Sequence, residues 1–342
     1  MIPALAIANE LRDRYGAEIV FIGTSRGIET RLVPQAGYPL ELIHVGALKN
    51  VSAVTRLKTV FDLPRAVLHC AAFFGRFKPD VIISVGGYAS GPAMLAAAMK
   101  RIPSVIFEPN YVPGLANRIA AKTAKASCVH FQDTCRFLPN CTVTGVPVRK
   151  AFFDIRPRPA DSQPSLLVFG GSQGARAINN AVVAALPPIR EKLPNLKIVH
   201  QTGAKEFEPV QAGYAAADFP ADVRAFIDDM PGAFSAADLI VCRSGASTVA
   251  EITAAGKPAI FIPFPRAADD HQTKNAEAIA NASGAVLMRE SELTPEKLAT
   301  AITDLFTDRV RLARMATNAH RMSHTDAAGR VAEIAVGLVG KK

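Results

Sequence analysis

The chain has 342 residues, 49% hydrophobic and 20% charged, so it can bury a large core, and its length favours two domains over one. No uninterrupted apolar run reaches the roughly 18 residues of a membrane span, and MIPALAIANELRDR lacks the order of a signal peptide, so a cytoplasmic protein is expected. The net charge of +9 is uneven: residues 1–149 hold 17 Lys/Arg against 9 Asp/Glu, the remainder 22 against 21. That asymmetry points to an anionic partner for the first part, a membrane surface or a phosphorylated ligand. No aromatic-interleaved basic run, RNA-binding strand signature or zinc finger speaks for nucleic acid.

The first predicted element is a helix, with Ile2, Leu5, Ile7, Ala8 and Leu11 on its apolar stripe. A doubly wound domain ordinarily opens on a strand, whose following turn aims amides and a helix N-terminus at a ligand. Short β-branched runs then predict strands at 18–24, 81–87, 103–109 and 126–132, with alanine-rich helices between them. Within this series, residues 54–79 interleave Arg56, Lys58, Arg65, Arg76 and Lys78 with Val60, Phe61, Leu63, Leu68, Phe73 and Phe74. The pattern suits a helix lying on an anionic membrane, and equally an amphipathic core helix.

The Pro-rich stretch RPRPADSQP (156–164) reads as a linker between two series. Beyond it, strands are predicted at 165–171, 196–203, 223–229, 239–245, 259–265 and 285–290. The alternation implies parallel sheets covered by helices on both faces, an α/β protein. Five cysteines, Cys70, Cys128, Cys135, Cys141 and Cys242, form no CxxC pair and have no His cluster beside them. Buried, reduced thiols are expected, without a metal or disulfide framework.

Three strand-to-helix junctions of the second series carry chemistry. In LLVFGGSQGARAINNAV, Gly170, Gly171 and Gly174 let the backbone approach an oxygen closely, Ser172 offers a hydroxyl, and the helix from Ala175 presents free N–H groups, although a tight turn needs glycine for steric reasons alone. In LIVCRSGASTVAEITAAGKP, Arg243 and Ser244 precede a helix on which Glu251 lies two turns along, placed to accept two ribose hydroxyls or simply exposed. In FIPFPRAADDHQTKNAEAIA, Gln272 and Asn275 share a helical face and suit sugar hydroxyl and acetamido groups, while Asp269, Asp270 and His271 fit capping roles. All three lie at carboxyl ends of strands, where ligands of open parallel sheets bind. No Asp-x-Asp triplet is present, so diphosphate charge falls to amides, hydroxyls and Arg243, with no metal and no cofactor.

GGSQGA, FIDDM, CRSGASTVAEI, PFP and DDHQTKNA resemble the MurG family of glycosyltransferases in order and spacing, as do KPDVIISVGGYASGP (78–92), EPNYVPGLANR (108–118) and TGVPVR (144–149). The resemblance runs from Pro3 onward. It implies a GT-B architecture: two Rossmann-like, doubly wound parallel-sheet domains facing one another across a cleft. Residues 1–149 would be the acceptor and membrane-binding domain, 150–326 the UDP-GlcNAc-binding domain, and 327–342 a C-terminal helix packing back on the first. The donor would be held by Ser172, Gln173, Ile227, Arg243, Ser244, Glu251, Gln272 and Asn275, with Ile227 at uracil and Glu251 at ribose. The acceptor, lipid I, would meet Gly86, Gly87, Tyr88, Asn110 and Arg149.

The implied reaction is inverting transfer of N-acetylglucosamine to lipid I, giving lipid II, by a peripheral protein on the cytoplasmic face of an anionic membrane. The family's first strand and its GGTGGH turn precede the position matching Pro3, and no residue here stands in for that turn's histidine, so the base is unassigned. A start codon placed downstream of the true one is the simplest expectation, with real truncation as the alternative. The family's EQN reads EPN here. The alternatives are a noncatalytic UDP-GlcNAc binder, a related lipid glycosyltransferase and a UDP-sugar epimerase.

Overall fold

A computed structural model describes residues 1–25, 27–45, 53–159 and 161–340, with the backbone alone for residues 53–61. The chain divides into two units, Met1–Pro147 with His324–Lys342, and Val148–Ser323.

In the first unit the order is α1 (Ile2–Tyr15), β1 (Phe21–Thr24), α2 (Glu29–Gln35), β2 (Leu40–Ile43), α3 (Ala53–Phe77), β3 (Ile82–Ser84), α4 (Ser90–Met99), β4 (Ser104–Glu108), α5 (Leu115–Ala120), β5 (Ala126–Val129) and β6 (Cys141–Val143). Its strands form two parallel sheets, β1-β2 and β3-β4-β5-β6. SVIFE of β4 is buried at every position, as a strand covered on both faces must be.

The second unit runs α6 (Lys150–Phe153), β7 (Ser165–Phe169), α7 (Arg176–Lys192), β8 (Lys197–Gln201), α8 (Phe207–Ala216), β9 (Asp222–Arg224), α9 (Met230–Ala236), β10 (Leu239–Cys242), α10 (Ala246–Ala255), β11 (Ala259–Phe261), α11 (His271–Asn281), β12 (Ala285–Leu287), α12 (Pro295–Thr307) and α13 (Arg309–Arg321). One parallel sheet of order β12-β11-β10-β7-β8-β9 spans it. SLLVF of β7 and LIVC of β10 are wholly buried, and Leu166, Val168, Leu239 and Val241 share a large apolar cluster with α7 and α12. Asp229, Thr294 and Asp308 each cap a following helix, accepting a backbone N–H from Gly232, Lys297 and Arg311. The last helix, α14 (Ala327–Val336), packs on α1 and belongs to the first unit.

The structure departs from several expectations. Predicted strands overrun at their carboxyl ends: β3 stops at Ser84 because Gly86 and Gly87 take φ of 82° and 90°, which turns the chain out of the sheet. Strands β2 and β6 fall in runs too short and mixed to be predicted. The Pro-rich stretch lies inside the second unit, where Arg158 pairs with Asp238, whose carboxylate also accepts the Ser165 amide.

Cys135 and Cys141 are joined in a disulfide, contrary to the expectation of reduced thiols throughout. A 3-10 turn at Gln132–Arg136 folds back onto the start of β6 and brings the two Cα atoms to 5.3 Å, a proximity that a six-residue separation does not announce. Cys70, Cys128 and Cys242 are free and buried. In α3, Phe74 is a core residue packed with Val67 and Ala93, whereas Leu68 is exposed. Arg56, Lys58, Val60 and Phe61 lie outside the described side chains. Among the described residues no helix is long and apolar enough to cross a membrane.

Candidate functional site

Strand β10 pairs with both β7 and β11, so the three glycine, serine and amide-bearing junctions emerge side by side at one end of the sheet. After β7 the backbone turns through Gly171 (φ 85°) and Gly174 (φ 75°), leaving Ser172 and Gln173 exposed. A Cβ on Gly174 would collide with the Thr202 carbonyl, and one on Gly203 with the Gln173 carbonyl. The turn after β7 and the turn after β8 therefore interlock backbone to backbone, which only glycine permits. The N-terminus of α7 has no side-chain cap, so its first amides are available to an anion.

The side chain that orders this turn, Gln201, is one that sequence reasoning does not single out. Buried at the end of β8, it donates from Nε2 to the Gly171 carbonyl at 3.0 Å and accepts the Ile227 amide on Oε1 at 2.8 Å. One primary amide thus fixes the glycine turn and the FIDDM segment together. Ile227 is itself buried, with the exposed Phe226 beside it. Beneath, His200 hydrogen-bonds Asn179 and Tyr214, and Asn179 donates to the Thr202 carbonyl. Burial lowers His200 to about 3, leaving a neutral imidazole that supports the turn.

The other two junctions are laced to each other. Ser244 donates its hydroxyl to the Gln272 carbonyl at 2.8 Å, Asn275 donates to the Ser244 carbonyl at 3.2 Å, and Gln272 accepts the Phe264 amide at 3.0 Å. Asn275 is fully buried and Gln272 partly exposed, so the second is the one positioned to meet a ligand. Asp269 and Asp270 both adopt φ of 52°, a left-handed turn that aspartate tolerates, and Asp270 accepts the Thr273 hydroxyl. His271 bonds the Ala268 carbonyl.

Arg243, expected at the diphosphate, has its guanidinium engaged by groups of the second unit. Its guanidinium pairs with Glu290 at 2.6 Å, donates to the Ile262 and Pro263 carbonyls and lies over the Phe264 ring. It shapes the loop after β11. Glu251, on α10, stands 4.0 Å from Arg149, and burial raises its carboxyl to about 7 against the opposing pull of that arginine. Arg149 precedes α6, stacks on Phe152 and belongs to the second unit, so the structure groups it with Glu251 and not with Gly86, Gly87 and Tyr88.

In the first unit, Gly86, Gly87 and the exposed Tyr88 lie between β3 and α4, and Asn110 follows the adjacent β4. Their organiser is Glu108, buried at the end of β4. Its Oε1 accepts the amide and the side-chain amide of Asn110, both at 3.1 Å; Oε2 accepts the Gly114 amide at 3.0 Å and Asn117 Nδ2 at 2.9 Å. Asn117 in turn accepts the Ser84 hydroxyl, linking the β4 loop to the β3 loop.

Two parallel-sheet units covered by helices, with ligand-facing loops at the strand ends, are the architecture of the GT-B class. The model of the glycosyltransferase family 28 N-terminal domain matches residues 1–129, and that of its C-terminal domain residues 165–331. The chain is 44% identical, over 99% of its length and 90% of the relative's, to a UDP-N-acetylglucosamine--N-acetylmuramyl-(pentapeptide) pyrophosphoryl-undecaprenol N-acetylglucosamine transferase of Anaeromyxobacter dehalogenans. It is 43% identical to the protein of that name from Syntrophotalea carbinolica, over 100% and 96%. The crystal structure of Acinetobacter baumannii MurG superposes with a TM-score of 0.83 at 34% identity, covering 98% of this chain and 95% of that one. The chain belongs to the MurG family within glycosyltransferase family 28.

Proposed function

We propose that the chain transfers N-acetylglucosamine from UDP-GlcNAc to lipid I, undecaprenyl-diphospho-muramoylpentapeptide, giving lipid II for peptidoglycan synthesis. The observation that carries this is near-complete coverage at 44% identity of a transferase so named, on a chain whose β7, β10 and β11 loops are assembled as one site.

In this reading Ser172, Gln173 and the first amides of α7 hold the diphosphate, Glu251 accepts the ribose hydroxyls, and the segment at Ile227 borders the uracil. Gln272 meets the sugar, with Ser244 and Asn275 holding it in place. Gly86, Gly87, Tyr88 and Asn110 receive the acceptor. A muramoyl hydroxyl attacks the anomeric carbon as the bond to the β-phosphate oxygen breaks; the proton passes to a base on the acceptor side and UDP leaves with the bonding pair. Attack opposite the leaving group inverts the anomeric centre. Amide dipoles and hydroxyls at the α7 end disperse the charge that develops on UDP.

The protein acts at the cytoplasmic membrane face. Exposed Leu68 on α3, Leu95 and Met99 on α4, and Leu115 and Ile119 on α5 lie on successively packed helices, with exposed Arg65, Lys100, Arg118 and Lys122 among them. Such a surface gains both apolar burial and attraction to anionic lipid.

The test is UDP release with purified lipid I and UDP-GlcNAc, with lipid II followed by chromatography. UDP-GlcNAc binding without UDP release would reduce the chain to a binder, and a C2-epimerised sugar nucleotide would make it an epimerase.

A further inference from the structure

Strand β6 lies at the end of the four-stranded sheet, and Cys141 opens it, in register with Ser127 of β5. Its disulfide partner, Cys135, belongs to the 3-10 turn at Gln132–Arg136. Cys70, Cys128 and Cys242 are free and buried, whereas Cys135 and Cys141 are partly exposed, within reach of a thiol in solution. In the reading above the protein works at the cytoplasmic membrane face, among reductants that open accessible cysteine pairs, so this bond responds to redox conditions.

The turn that the bond tethers grips the loop after β4. Thr134, fully buried, donates its hydroxyl to the Tyr111 carbonyl at 2.9 Å, with the Asn110 carbonyl at 3.3 Å. Tyr111 donates its own hydroxyl to Asp133 at 2.9 Å and accepts Arg136 on the same oxygen at 2.5 Å. Its ring meets the Arg136 guanidinium and the Phe131 ring. Asn110 is therefore held twice, at its amides by Glu108 from the sheet and at its carbonyl by Thr134 from the turn. A short 3-10 turn has poor hydrogen-bond geometry and little stability of its own. The disulfide supplies the missing constraint, closing residues 135–141 into a ring that Leu138, clustered with Ala120 and Ala124, anchors on the core.

We propose that the Cys135–Cys141 ring is a redox-sensitive clamp on the acceptor loop. Oxidised, it holds Asn110 where the acceptor is received; reduced, it lets Asn110 and Tyr111 move, and the acceptor binds more weakly. The step is thiol–disulfide exchange with a dithiol. One thiolate of the reductant attacks a sulfur of the pair and forms a mixed disulfide; the other then displaces the protein thiolate and leaves the reductant as a disulfide. Each cysteine sulfur gains an electron and a proton. The effect on the acceptor rests on the assignment of Gly86, Gly87, Tyr88 and Asn110 to lipid I, and the grip of the turn on the loop does not.

The experiment compares the full chain equilibrated with oxidised glutathione, the same chain treated with dithiothreitol, and the Cys135→Ser/Cys141→Ser variant. Thiol titration in denaturant is expected to find three groups before reduction, Cys70, Cys128 and Cys242, and five after it. Reduction is expected to speed amide exchange in residues 110–114 and 132–137 and to leave β7 and β8 unchanged. The KM for lipid I is expected to rise at least about threefold, with kcat and the KM for UDP-GlcNAc unchanged. The serine variant is expected to match the reduced chain and to ignore dithiothreitol. Five thiols before reduction, exchange in residues 110–114 indifferent to reduction, or a serine variant that still responds to dithiothreitol would overturn the clamp. Asn110→Ala separates it from the acceptor assignment. If that variant raises the KM for lipid I and reduction does not, the clamp fails; if neither moves the KM while exchange in residues 110–114 still responds, the acceptor assignment fails and takes the effect on the acceptor with it.

Discussion

In the second unit six strands share one sheet, β7 and β10 are buried along their whole length, and a large apolar cluster runs from β7 through α7 to α12. In the first unit the described strands form sheets of two and four, and the described apolar residues gather in several smaller clusters. The ligand-facing loops differ in kind as well. The turns after β7 and β8 in the second unit are held by backbone interlock and a neutral amide, the loops after β3 and β4 in the first by one buried carboxylate, Glu108. Dipolar support tolerates the loss of one partner better than a buried charge, whose removal strands several donors at once.

Four substitutions break or sharpen this contrast. Gly174→Ala, which drives a methyl group into the Thr202 carbonyl, is expected to cost about 3 kcal/mol and to abolish measurable UDP-GlcNAc binding, followed by chemical denaturation and calorimetry. Glu108→Ala removes an acceptor shared by the Asn110, Gly114 and Asn117 amides in the first unit, Asn117 keeping the Phe107 carbonyl. A loss of about 2–3 kcal/mol is expected, with the KM for lipid I raised and donor affinity intact. Equal damage to both ligands would erase the division of labour between units.

Gln201→Ala removes the bridge between the glycine turn and Ile227. The expected loss is about 1–2 kcal/mol, with weaker donor binding and normal acceptor KM.

The mildest change is Glu251→Gln. Because burial raises the carboxyl to about 7, its charged form, the better acceptor for ribose hydroxyls, appears as pH rises through that value. Donor affinity should climb between pH 6 and 8 in the parent and stay flat in the variant, read by calorimetry across pH. Stability runs the other way. The folded state holds this proton more tightly than the unfolded one, so its contribution is present below the ordinary carboxyl range and is lost as pH rises to about 7.

Most of the second unit is legible in the sequence, because its central strands are continuous apolar runs ending at glycine or serine turns. SLLVF into GGSQG and LIVC into RSG can be read directly. What escapes is what depends on partners distant in the chain. Gln201 looks like a polar residue closing a strand, and only its place between Gly171 and Ile227 reveals its role. Glu108 is visible as part of EPN, but nothing local says that it gathers amides from two to nine residues away into a buried site. Phe74 reads as part of a surface stripe until Val67 and Ala93 are seen beside it. The Cys135–Cys141 bond depends on a turn that composition does not encode.

Arg243 carries a consequence for how a donor is found. An arginine at the mouth of a phosphate site would project its charge outward and draw anions from a distance, an attraction that salt weakens. Here that charge is neutralised by Glu290 and turned onto two carbonyls. The charge left beside the exposed Ser172 and Gln173 is that of Arg176, the exposed first residue of α7, 3.8 Å from Glu206. Salt should therefore weaken the capture of a donor through Arg176 and leave the Arg243–Glu290 pair, largely shielded from water, in place.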